Sequence, residues 1–144
     1  MELYDLAPGS PARLVNLSTS AFSGPGEQSA IVGFGLGGTA GQVVLIRATG
    51  PALAAFGVTG ALLDPQLKVA NAAGAVLAQN DNWESSVFAG EIAAAATSVA
   101  AFSLAPASRD AATLTSLGPG TYTALATGNG TSVGQTLVEV YVVP

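Results

Sequence analysis

Side chains that commonly do chemistry are scarce in this chain. It contains no His and no Cys, so it lacks the usual base near neutral pH, a thiolate nucleophile and the thiolate ligands of a structural zinc site. Serines are plentiful, but none stands in a nucleophile-elbow pattern, and a Ser–Lys pair would need Lys68, which lies in a strand-like run without a partner motif. A carboxylate pair for glycoside hydrolysis would be drawn from Asp64, Asp81, Glu84, Glu91 and Asp110. Their scatter over turn-like segments reads as solvated loop and cap residues, so no catalytic residue is assigned and the chain is expected not to be an enzyme. Gly35-Leu36-Gly37-Gly38 is followed by no Gly-Lys-Ser/Thr signal and reads as a hairpin turn rather than a phosphate loop.

Ligand chemistry is densest at Asn80-Asp81-Asn82-Trp83-Glu84. Clustered oxygen donors suit a hard cation such as Ca²⁺, and Asp81, Asn82 and Glu84 are the candidate ligands. The Asp-x-Asp-x-Asp-Gly order of a calcium loop is missing, so a turn held by side-chain-to-backbone hydrogen bonds is the preferred reading, with no metal and no cofactor. Trp83, the only Trp, could stack on a sugar ring, which makes a glycan a candidate partner; a core or inter-sheet anchor is the commoner role of such a residue.

Composition narrows the partners. Only 9% of residues are Asp, Glu, Lys or Arg, against roughly 25% in an average soluble domain. The net charge is −5, and Arg13, Arg47, Lys68 and Arg109 are too few to neutralise a phosphate backbone, so nucleic acid is excluded as a partner. The longest apolar stretch, around Gly90 to Phe102, is interrupted by Glu91, Thr97 and Ser98 and is too short for a membrane span. Met1-Glu2-Leu3 shows neither the basic nor the apolar region of a signal peptide, so an exported form would be represented here by its mature part.

The elements that must position these residues are short and punctuated by Gly, Pro, Asn and Asp. Strands are expected at Arg13 to Ser18, Ala30 to Leu36, Gln42 to Ala48, Leu67 to Ala70, Ala75 to Gln79, Ala111 to Leu117, Thr121 to Thr127 and Gln135 to Val143. Gln42 to Ala48 is a continuous apolar run of the fully buried kind. Asn71-Ala72-Ala73-Gly74 reads as a hairpin turn, Ala52 to Phe56 as a single helical turn, and Gly90 to Ala96 as one short helix. Eight to ten short strands without a βαβ rhythm predict an all-β fold, an antiparallel β-sandwich of jelly-roll or immunoglobulin-like style.

One strand pattern occurs twice. Glu2-Leu3-Tyr4-Asp5-Leu6 recurs 137 positions later as Glu139-Val140-Tyr141-Val142-Val143, with Val142 where the first copy has Asp5. Pro8 and Pro11 cannot donate to a ladder, so residues 1–11 are expected to form an N-terminal strand and linker, exchanged with a neighbour, and residues 12–144 the sandwich. Both copies, Glu2 to Leu6 and Glu139 to Val142, are therefore candidate interaction residues, pairing by strand addition with copies of the same chain or with adjacent repeats.

The ordered signals Asp64-Pro65-Gln66-Leu67-Lys68-Val69, Gly74-Ala75-Val76-Leu77-Ala78, Asn80-Asp81-Asn82 and Leu117-Gly118-Pro119-Gly120-Thr121-Tyr122-Thr123 resemble bacterial secreted β-sandwiches of the pre-peptidase C-terminal type. Arg13-Leu14-Val15-Asn16-Leu17-Ser18 and Val44-Leu45-Ile46-Arg47-Ala48 with Gly50-Pro51, together with the Glu2-to-Ser18 junction, resemble repeat modules of large bacterial cell-surface proteins. These resemblances imply an extracellular or cell-surface, non-catalytic structural module arranged head-to-tail in an array or filament, with carbohydrate or surface-polymer binding as the alternative.

Overall fold

The computed structural model of the protein describes residues 14–144. The Glu2-to-Leu6 strand and the linker expected over residues 1–11 lie outside the described residues.

The described residues form eight strands in order: β1 (Asn16–Ser23), β2 (Ala30–Leu36), β3 (Gln42–Thr49), β4 (Pro65–Asn71), β5 (Val76–Asn80), β6 (Ala111–Leu117), β7 (Gly120–Gly128) and β8 (Gly134–Val142). Among the described residues a single α-helix, α1 (Ala89–Ser98), enters between β5 and β6. One sheet has the order β1-β8-β3-β6 and the other β2-β7-β4-β5, and every paired strand is antiparallel. This is the antiparallel sandwich expected from the turn spacing, and its strand order is that of a jelly roll.

The Ala content acquires a reason in the register. On β7, Ala124 lies between Val32 of β2 and Val69 of β4, and Ala126 lies between Ala30 and Leu67. Each small residue thus leaves a gap beside a large one, into which the facing sheet brings Val44, Ile46, Val138 and Val140. Alternating large and small side chains fill a thin interface at close-packed density without long side chains.

Burial on β3 does not alternate; every residue from Val44 to Thr49 is buried. Val44, Ile46 and Ala48 face the other sheet, whereas Leu45 joins a second apolar cluster with Trp83, Ile92, Ala95, Ala96 and Tyr141. The outer face of the first sheet is therefore roofed, by α1 and by the segment that follows it. The helix buries Ile92, Ala95 and Ala96, the i, i+3, i+4 stripe of an amphipathic helix. It runs slightly longer than the Gly90-to-Ala96 expectation because it ends in a Schellman motif: Ala101 N–H donates to the Ala96 carbonyl and Ala100 N–H to the Thr97 carbonyl, with Ala100 at φ 55°. Gly usually marks that position.

The turns carry the expected chemistry. Asn71 Oδ1 accepts from the N–H groups of Ala73 and Ala75, both at 3.0 Å, and Gly74 takes φ 79°. Pro51 to Phe56 forms a 3-10 helix entered through Gly50, where a Cβ would lie 1.9 Å from the Leu62 carbonyl oxygen. Among the described residues no helix is long and apolar enough to cross a membrane.

Candidate functional site

The largest fully buried side chain is that of Arg47. β3 and β8 place it directly opposite Glu139 on the roofed face, and Tyr141 stands two residues further along β8 on the same face. Arg47 Nε donates to Glu139 Oε2 at 2.8 Å and Nη2 donates to the same oxygen, while Nη1 donates to the Phe102 carbonyl at 2.6 Å. The Tyr141 hydroxyl donates to Glu139 Oε1 at 2.6 Å. The guanidinium lies 4.2 Å from the Phe102 ring centroid, and Phe102 packs edge-on against Phe56 at 5.0 Å. Arg47 is 0% exposed and Glu139 3%, so the cluster is closed to solvent.

Burial, the hydrogen bond to Glu139 and the nearby Glu139 charge push the Tyr141 phenol up to about 12, against the smaller opposing influence of Arg47. Sequence reasoning had not singled out Arg47 or its pairing with Glu139. The available signal was a lone cation in the apolar Val43-to-Ala48 run and a lone anion in the apolar run of β8, since two unmatched charges in buried strands call for each other.

Three of the carboxylates considered for catalysis, Asp110, Asp64 and Glu84, hold separate hydrogen-bond partners, and Asp81 lines a groove beside its own loop. Asp110 is fully buried; its Oδ1 accepts from Gly50 N–H at 2.8 Å and Ala52 N–H at 3.2 Å, and its Oδ2 from the Ser108 hydroxyl. It thus caps the Pro51 turn. Asp64 Oδ2 accepts from Arg109 at 2.9 Å and Asn129 at 3.3 Å, and Glu84 Oε2 accepts from Ala107 N–H at 2.6 Å. Glu91 is exposed in the first turn of α1. Among the described residues no three acidic side chains gather into a metal-binding group.

The Asn80-to-Glu84 loop works as a seam. Asn80 Oδ1 accepts from Ala112 N–H on β6 and its Nδ2 donates to the Asn82 carbonyl, both at 3.0 Å, joining the edges of the two sheets. Trp83 is 8% exposed, donates its indole N–H to the Ala105 carbonyl at 3.1 Å and packs in the second core. Its ring is not presented for stacking. A polar groove of about 460 Å³ does lie beside this loop, lined by Gln66, Lys68, Gln79, Asn80, Asp81 and the serines 85 and 86.

The interaction residues Glu139 to Val142 stand in β8, which is hydrogen-bonded to β1 on one side and β3 on the other. The last strand is therefore interior to its sheet, because β1 covers the side that would otherwise be open. The chain enters and leaves the sheet at one end, where Val142 N–H donates to the Val15 carbonyl at 2.9 Å. Apolar side chains are exposed there: Leu14 just before β1, Val43 on β3, and Val87 and Phe88 before α1. Val43 and Phe88 also line a shallow groove of about 270 Å³ with Leu114.

Two outcomes follow from the buried cluster. Arg47→Met leaves Glu139 buried without its cation and should cost about 3–5 kcal/mol in urea unfolding; the triple variant Arg47→Met, Glu139→Leu, Tyr141→Phe should recover most of that loss. Because the Tyr141 proton is held more tightly in the folded chain than at the ordinary value of 10, its stabilising contribution is complete below pH 10 and is lost as pH rises from 10 toward 12. Urea midpoints measured across that window should fall more steeply for the wild type than for Tyr141→Phe.

Compared with known proteins, the chain matches no family model, no curated protein and no solved structure.

Proposed function

We propose that this protein is a non-catalytic structural module of an extracellular or cell-surface assembly, in which neighbouring units are joined through their terminal strand segments, as a tandem array or as subunits of a filament. What supports this reading is the recurrence of one strand pattern in the sequence, beside the place where β1 begins and β8 ends. Entry and exit lie side by side at one end of the first sheet, and the entering segment repeats the Glu-x-Tyr pattern of the strand that leaves.

Leu14, Val43, Val87 and Phe88 offer that neighbour an apolar contact, of the kind that marks association surfaces. The sparse charge of the chain suits packing between units better than free diffusion. Partners are accordingly copies of the chain or adjacent repeats, and the extracellular placement rests on the resemblance to secreted modules.

A second reading, binding of a carbohydrate or surface polymer, is favoured by the groove at Gln66, Lys68 and Gln79, whose amides and ammonium suit hydroxyl-rich ligands. It no longer uses Trp83.

Electron microscopy of the purified chain is expected to show filaments or ordered oligomers, and the chain lacking residues 1–8 is expected to be a folded monomer. Assembly that survives this deletion would remove the strand from the reading. For the second reading, a glycan array should register binding that Lys68→Ala with Gln79→Ala abolishes while the melting temperature stays within a few degrees; binding unaffected by the double variant excludes the groove.

A further inference from the structure

Five asparagines occur in the chain, and only Asn129 is followed by glycine; the others precede Leu17, Ala72, Asp81 and Trp83. The main-chain nitrogen after an Asn can close a five-membered ring on the side-chain carbonyl carbon, and a Cβ on that next residue hinders the approach. Gly130 has none.

The turn leaves the reacting groups accessible. It joins β7 of one sheet to β8 of the other and is closed by Ser132 N–H, which donates to the Asn129 carbonyl at 2.9 Å. Gly130 stands at the first central position with φ 59°, a conformation that favours glycine. It is exposed, a Cβ built on it would meet nothing within 4 Å, and its N–H donates to no other described residue. Its nitrogen is therefore open to solvent base.

Asn129 also sits where a change of charge has consequences. Its N–H donates to the Asp64 carbonyl at 2.8 Å and its Nδ2 to Asp64 Oδ2 at 3.3 Å, an oxygen that also accepts from Arg109 at 2.9 Å. Asp64 Oδ1 is buried and has no partner among the described residues. Asp64 immediately precedes β4, Arg109 stands just ahead of β6 and Asn129 follows β7, so one carboxylate gathers the ends of three strands. A second carboxylate in place of the Asn129 amide would remove a donor and set like charges together at a side chain only 15% exposed.

Independently of the structural-module reading, we propose that Asn129-Gly130 is a self-modifying site, at which the folded chain deamidates and thereby loosens the corner held by Asp64. The Gly130 nitrogen, having given its proton to solvent base, attacks Asn129 Cγ; the N–Cγ bond forms, the Cγ–Nδ2 bond breaks, and ammonia leaves with a proton returned by solvent. Water then opens the succinimide at either carbonyl and leaves an aspartate or its β-linked isomer at position 129. The net change is amide plus water to carboxylic acid plus ammonia. The β-linked product also adds a backbone carbon to a tightly built turn, in which a Cβ at Gly128 would already lie 1.8 Å from the Ser132 carbonyl oxygen.

The test holds the purified full-length chain folded at physiological temperature in mildly alkaline buffer and follows each Asn by mass spectrometry of its digest. The amide-to-acid mass gain should accumulate at Asn129 at least tenfold faster than at any other Asn, and Gly130→Ala should suppress it at least tenfold. Because Gly130→Ala is strained at a positive φ, wild-type chain kept unfolded in urea supplies a second comparison: the folded chain should be modified at no less than a tenth of the unfolded rate. Asn129→Asp should melt below the wild type, and adding Asp64→Asn, which restores an amide–carboxylate pair in the reverse sense, should return most of that loss. Modification confined to the unfolded chain, or no faster at Asn129 than at Asn16 or Asn71, overturns the site. Melting of Asn129→Asp at the wild-type temperature overturns the loosening.

Discussion

A guanidinium taken fully out of water must be matched, and much of this structure is arranged around that requirement at Arg47. Moving such an ion into a low-dielectric interior costs several kcal/mol even after relaxation, and the cost is offset only when the geometry is good and the remaining hydrogen-bonding capacity is met. β3 and β8 supply the match by register, setting Glu139 opposite Arg47. Tyr141 and the Phe102 carbonyl take up what the pair leaves over. The pair also ties together elements distant in sequence, because Phe102 belongs to the segment after α1, and Phe56, which packs on it, closes the 3-10 helix after β3. A one-residue slip between β3 and β8 would place Glu139 and Arg47 on opposite faces, so the ion pair also specifies register.

The roof over the first sheet is the counterpart of this cluster. A two-layer sandwich would leave Leu45, Arg47, Glu139 and Tyr141 facing solvent, where an ion pair contributes little. α1 and the stretch to Asp110 exclude water instead, and the second core of Leu45, Trp83, Ile92 and Ala96 forms beneath them. Polar side chains along this layer act as fasteners: Asp110 caps the Pro51 turn, Asn80 bridges two sheet edges, and Glu84 holds the Ala107 amide. Two of the candidate acids, Asp110 and Glu84, are thereby accounted for as a cap and a fastener.

Much of the architecture was legible from local signals. Gly and Asn at the turns, β-branched runs between them and the Asn71-to-Gly74 hairpin correspond to backbone demands that neighbouring residues impose on one another. The end of α1 was less legible because Ala100 occupies the left-handed position where Gly is the usual marker. The interior place of β8 was not legible at all. Its alternation fits an edge or a central strand equally well, and only pairing with both β1 and β3, which are distant in sequence, distinguishes the two.

The sequence alone determined the fold class, the scarcity of reactive groups and the recurrence of a Glu-x-Tyr strand 137 positions apart, since these depend on residue identity and short-range periodicity. Tertiary structure decided where the second copy of that pattern sits. It buried Trp83, closed the outer face of one sheet and turned Glu139 and Tyr141 into the partners of Arg47. The physical reason is that a charge is costly or stabilising according to what lies within a few ångströms of it, and for Arg47 those neighbours come from positions 92 and 55 residues away.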